Sequence, residues 1–75
     1  MITLREARVT RMLTIRGLAE AAKVSPATVH LAEVGQRMPH FGTMQRIASV
    51  LGMEPHEIVE FRAAMEAATR GKEAA

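Results

Sequence analysis

Seventy-five residues with no cysteine and a formal net charge of +2 make one small domain, of a size that buries only about 60% of the surface its unfolded chain exposes. That leaves no room for a deep catalytic cleft and excludes disulfides and thiolate metal sites, so stability must come from close packing, a partner subunit or both. The charge is uneven, with seven Lys and Arg against three Glu over residues 1–53 and three against five over residues 54–75; a basic body with an acidic end suits a polyanion on one side.

No run approaches the ~18 apolar residues of a membrane span, and the chain does not open on a charged-then-apolar signal segment. A cytoplasmic protein without membrane contact is predicted. Period-two alternation is missing and there are only two aromatic residues, so the pattern predicts an all-α chain.

Helix signals recur along it. Thr3 followed by Glu6 is a capping box opening a first helix toward Met12. Thr14 caps a short second helix with Leu18, Ala19 and Ala22 facing inward. Ser25 before Pro26 starts a third, because the serine oxygen accepts from an orphan N–H and proline lacks a donor that the first turn does not need. Val29 and Ala32 face inward there, and Gly35 is placed as its stop. A loop with Arg37, Pro39 and His40 leads to a fourth helix over about 42–51, with Met44, Ile47, Ala48 and Leu51 on one face and Gly52 at its end. Pro55 is expected to open the last helix, carrying Ile58, Phe61 and Met65. The six methionines are expected to fill the core. One domain is expected over 1–70, with a flexible tail over 71–75.

The second and third helices are short, joined by a tight turn, and small where they cross, Ala19 permitting close approach. This is a helix-turn-helix layout over about 14–34, whose second helix stands proud enough to enter a major groove about 12 Å wide. Three stretches, "LREAR", "GLAEAAKVSPATVHLAEVGQRMP" and "MQRIASVLGMEPHEIVEF", occur in an order and spacing that resemble the Cro and phage-repressor, or XRE, family of helix-turn-helix regulators from Leu4 to about Phe61. The resemblance implies a compact, lambda-repressor-like five-helix bundle, a homodimer on a pseudo-palindromic operator in double-stranded DNA, and transcriptional control.

Carried over position by position, the resemblance puts Ser25, Pro26, Ala27, Thr28, His30 and Leu31 at the base edges and implies a structural ion pair between Arg8 and Glu33. Phosphate contacts are expected from Thr14, Arg16, Lys23, Arg37 and His40. Arg11 and Arg46 are assigned either to phosphate or to solvent. The chain departs from the family pattern where Lys23 and Met12 replace usual glycines and where Ile15 replaces a common glutamine. A left-handed backbone costs a residue with a side chain on the order of 1–2 kcal/mol. So apolar a reading helix points to contacts with thymine methyls and to DNA shape, with phosphates supplying most of the affinity.

The apolar last helix offers Ile58, Phe61, Arg62 and Met65 for dimerisation. Its surplus apolar surface also leaves open a protein-docking adaptor, or an antitoxin that binds both DNA and a toxin. The three histidines lack zinc-site spacing, no triad or phosphate-cradling loop is present, and neither enzymatic activity nor a metal or other cofactor is expected.

Overall fold

A computed structural model describes residues 1–74, with side chains through residue 70. It contains α1 (Leu4–Thr10), α2 (Ile15–Ala22), α3 (Pro26–Glu33), α4 (Phe41–Val50), a single 3-10 turn (Pro55–Glu57) and α5 (Val59–Ala74). Of the expected tail over 71–75, the backbone to Ala74 continues α5 and Ala75 lies outside the described residues.

Each of the first three helices begins where its capping side chain sits. Thr3, Thr14 and Ser25 accept from the N–H groups of Glu6, Gly17 and Thr28. At Thr3 the box is reciprocal, since Glu6 Oε1 accepts from the Thr3 N–H at 2.9 Å. That backbone hydrogen bond is the main cause of a Glu6 carboxyl held below its ordinary value of 4.5. A depressed folded value contributes stability that is full above the unfolded value and is lost as pH falls through the folded one. Glu6→Gln keeps the cap without the titration, and its urea midpoint should therefore decline less steeply than that of the parent chain below pH 4.5. Parallel declines would separate the acid sensitivity from this cap.

Four helices also end alike. After α1, α2, α3 and α4 the chain turns left-handed at Met12 (φ 57°), Lys23 (φ 60°), Gly35 (φ 75°) and Gly52 (φ 69°). Each turn is closed by the same pair of hydrogen bonds, for example Lys23 N–H to the Glu20 carbonyl at 3.2 Å and Val24 N–H to the Ala19 carbonyl at 2.9 Å. This is a Schellman closure, for which glycine is the unstrained residue. The chain uses glycine twice and a side chain twice.

The core is continuous. Leu18, Ala19, Val29, Ala32, Ile47, Ala48, Leu51, Ile58 and Phe61 are fully buried, with Leu4, Ala7, Ala22 and Met44 beside them. Ala19 and Ala32 let α2 and α3 close on each other, because a side chain ending at Cβ keeps the helix axes near contact distance. Met44 is buried and Met38 and Met53 pack half-buried against the core, whereas Met1 and Met12 are 82% and 92% exposed, so the expectation of methionine core filler fails at those two. Alanines and branched residues already fill the crossings.

The last helix differs from its expected start. Pro55 opens one 3-10 turn, and Ile58 is extended (φ −96°, ψ 122°) before α5 begins at Val59. The cause is remote in sequence: Ile2 forms an isolated parallel bridge with Ile58, accepting from the Val59 N–H at 2.9 Å and donating to the Glu57 carbonyl at 3.2 Å. Glu60 then accepts from the Leu4 N–H at 2.8 Å, placing a carboxylate at the positive end of α1.

Candidate nucleic-acid interface

Three residues, Lys23 to Ser25, connect α2 to α3. The left-handed step at Lys23 reverses the chain, Val24 packs against the core, and Ser25 restarts the helix. The first turn of α3 consequently projects beside the loop that leads into α4. Between them lies an open concavity of about 550 Å³, lined by Ser25, Ala27, Thr28 and Leu31 from the α3 side and by Arg37 and His40 from the loop. Four expected base readers and two expected phosphate contacts thus share one surface.

The remaining expected residues are placed around it. Pro26 and His30 are exposed on α3 but do not line the concavity; Arg16, Lys23 and Thr14 are exposed at the two ends of α2. Thr14 is occupied as a cap, yet an N-cap hydroxyl keeps its own proton for an external acceptor. Ser25 and Thr28 are joined by a 2.9 Å hydroxyl contact as well as by the cap. Val24, Met38, Pro39 and Thr43 complete the lining. Sequence reasoning missed these, and for Thr43 a signal was available, as it lies three residues beyond His40, on the first turn of α4. His40 begins that helix without a side-chain cap hydrogen bond, so the N–H groups of its first turn have no side-chain acceptor at the cap, a setting that favours an anion.

Behind this surface, Arg8 and Glu33 meet as a two-pronged pair. Arg8 Nε donates to Glu33 Oε2 and Nη2 to Oε1, the latter at 3.1 Å, while Nη1 donates to the Leu13 carbonyl at 2.9 Å. The hydrogen bond to Glu33 raises the Arg8 pKa above its already high ordinary value, so the guanidinium is charged at every ordinary pH. The two side chains are only 12% and 6% exposed. The last residue of α3 is thereby tied to α1.

Arg11 and Arg46 belong to the fold. The Arg11 guanidinium lies where a side chain at Gly52 would have to go, 2.6 Å from its Cβ position, at the end of α4. Arg46 Nε donates to the Ala22 carbonyl at 3.1 Å, at the end of α2. A cation at a helix C-terminus meets the negative end of the helix dipole.

Two of the expected dimer contacts are also reassigned. Ile58 and Phe61 are 0% exposed within one chain and have no surface left for a second. Their side chains close the core against the rest of the bundle, because the extended residue at 58 shifts the phase of α5. Arg62 is exposed and Met65 half-buried.

The left-handed Lys23 carries a direct prediction. Lys23→Gly relieves the strain but adds freedom to the unfolded chain, and should stabilise the fold by about 0.5–1 kcal/mol. It should at the same time weaken binding to a duplex. Urea midpoints and fluorescence anisotropy test the two halves, and a glycine variant less stable than the parent would mean the turn is unstrained.

No helix among the described residues is long and apolar enough to cross a membrane. No curated protein matches the sequence. Among solved structures, the clp gene regulator ClgR from Corynebacterium glutamicum superposes with a TM-score of 0.69 at 25% identity, covering 95% of this chain and 77% of that one. The family model for helix-turn-helix proteins matches residues 4–58, which spans α1 through the 3-10 turn and includes the whole concavity. The chain therefore belongs to the helix-turn-helix family, in its XRE type, and is a DNA-binding transcriptional regulator, not an enzyme.

Proposed function

We propose that the protein acts as a homodimeric repressor on a pseudo-palindromic operator, with α3 in the major groove of each half-site. The observation that carries this reading is the convergence of α3 and the following loop on one open surface, where Ser25, Ala27, Thr28 and Leu31 face Arg37 and His40. The likeness to ClgR, itself a gene regulator, supports the regulatory role. Ala27, Leu31 and the Thr28 methyl pack against thymine methyl groups, and the Ser25 and Thr28 hydroxyls supply the polar readout, with Pro26 and His30 flanking them. Thr14, Arg16, Lys23, Arg37 and His40 hold the phosphates on either side.

Dimerisation falls to the outward face of the C-terminal part. Two shallow concavities share His56 and Arg62, one bordered by Met1 and Met53 and the other by Met65. Val59 is 39% exposed on the same helix as Arg62. Flexible methionines at a surface adapt to a facing copy of themselves. A two-fold pair places the α3 helices about 34 Å apart, one turn of duplex.

The test is selection of duplexes from a random pool, followed by binding at two salt concentrations. An inverted repeat with half-sites one turn apart, and affinity that falls steeply with salt, is the expected outcome. Within the enriched site, Arg37→Ala should weaken all sequences alike, whereas Thr28→Ala should alter preference at one base pair by about 1–3 kcal/mol. Uniform effects of both would remove Thr28 from base reading. One observation favours a second reading as a protein-docking adaptor: Phe41, next to His40, is 54% exposed. Salt-insensitive binding to a protein, with no duplex enriched, would select that reading.

A further inference from the structure

The four Schellman closures differ in one respect besides their left-handed residue. Beside each of the two that lack glycine, an arginine donates to a flanking carbonyl, from α1 itself in the first case and from α4 in the second. Arg8 Nη1 reaches Leu13, the residue after Met12, at 2.9 Å, and Arg46 Nε reaches Ala22, the residue before Lys23, at 3.1 Å. Among the described residues, no side chain donates to a carbonyl next to Gly35 or Gly52. Glycine adopts the turn without help, whereas a residue with a Cβ needs the surroundings to hold it there.

Arg8 already has a role, tying α1 to Glu33. Arg46 has no role beyond the end of α2 that it meets. It stands on α4, 24 residues from Ala22, and its bond is half-buried. Arg46, Ala22 and Lys23 border one shallow concavity with Gly42 and Gln45, so α4 is the wall against which the α2 end is fixed. An orphan carbonyl at a helix end meets a charged donor here, among the stronger hydrogen bonds a backbone can make.

We propose that Arg46 is a positioning residue for DNA binding: its hydrogen bond to the Ala22 carbonyl holds Lys23 in the left-handed conformation, and this directs the lysine ammonium at the phosphate backbone. The inference rests on the reading of Lys23 as a phosphate contact. Releasing the Ala22 carbonyl lets residue 23 relax toward a right-handed or extended backbone. The side chain then leaves along a different direction, since the Cα–Cβ bond turns with φ and ψ. Arg46 itself touches no phosphate in this arrangement.

The covalent geometry supplies a discriminating variant. The donor is Arg46 Nε, the fourth atom beyond Cα, and glutamine carries its amide nitrogen at the same place in the side chain. Arg46→Gln therefore keeps the donor and removes the charge, while Arg46→Ala removes both. Each is made in the parent chain and in Lys23→Gly, and all are measured by anisotropy on a duplex enriched by the parent chain, across a salt series, with urea unfolding alongside.

In the parent background, Arg46→Ala should weaken binding by about five- to tenfold and make the salt dependence shallower by about one phosphate. Arg46→Gln should stay within about twofold of the parent with the salt slope unchanged, because one amide donor replaces another at the same carbonyl. In the Lys23→Gly background both variants should change binding by less than about twofold, since the contact that Arg46 positions is already gone. Equal losses for Arg46→Ala in both backgrounds would overturn the proposal, as would a loss for Arg46→Gln as large as that for Arg46→Ala, which would make Arg46 a phosphate contact in its own right. If Arg46→Ala does not fold, Arg46→Met, which keeps most of the apolar stem and loses the donor, takes its place in both backgrounds with the same expected losses. Binding unchanged in the parent background would then overturn the proposal. Failure of the parent chain to bind any duplex would instead overturn the phosphate reading of the site, and this proposal with it.

Discussion

Glu33→Ala should destabilise the domain by about 3–5 kcal/mol, because it strands the Arg8 guanidinium in a nearly closed site. Arg8 is 12% exposed and Glu33 6%, so water cannot take over the hydrogen bonds that are lost. A domain of this length has a total stability of about 4–11 kcal/mol at roughly 0.05–0.15 kcal/mol per residue. The single substitution therefore removes a large share of it. Removing both charges is a different experiment. In Arg8→Met with Glu33→Leu, no charge is left without a partner, and apolar groups of similar length fill the space. Most of the loss should be recovered, apart from the hydrogen bond to the Leu13 carbonyl. Urea unfolding followed by circular dichroism measures all three proteins. A loss below about 1 kcal/mol for Glu33→Ala would reduce the pair to an ordinary surface contact.

The second large effect concerns Phe61. The sequence places it on the apolar side of the last helix, where it fits either a dimer contact or a core. Its complete burial within one chain gives the two roles opposite signatures. Phe61→Ala should cost about 3–5 kcal/mol, from lost transfer energy together with the cavity left by a ring, and the cost should not depend on protein concentration. Met65→Glu, on a half-buried outward position, should leave the monomer's stability within about 0.5 kcal/mol, as surface changes do. It should, however, shift the sedimentation of a dimer toward the monomer. A Phe61→Ala chain that dissociates but unfolds at the parent's urea concentration would return that ring to the interface.

The elements most legible in the sequence were those specified by neighbours within four residues. Thr3 with Glu6, Thr14 with Gly17, and Ser25 with Pro26 and Thr28 are local caps, and each helix start they predict is present. The buried faces of α2, α3 and α4 follow from periodicity in the same way. Of the interface, the α3 residues and the Arg37 and His40 loop positions were accessible by resemblance, and the structure gathers Ser25, Ala27, Thr28, Leu31, Arg37 and His40 on one concavity. Met38 was not, because a lining residue is defined by what stands opposite it.

The sequence by itself determined an all-α chain, its cap residues and its helix-turn-helix segment, since these depend on short-range hydrogen bonding and periodicity, while the special turn positions at Met12 and Lys23 came from the family resemblance. Only the tertiary structure decided the remainder. The extended break at Ile58 depends on Ile2, 56 positions away. Whether Arg46 serves solvent, phosphate or a carbonyl depends on where α4 lies against the end of α2. Whether Phe61 faces inward or outward depends on the phase of α5, and that phase is set by the same break. A residue's type limits which partners it can take; long-range packing determines which of them comes within reach.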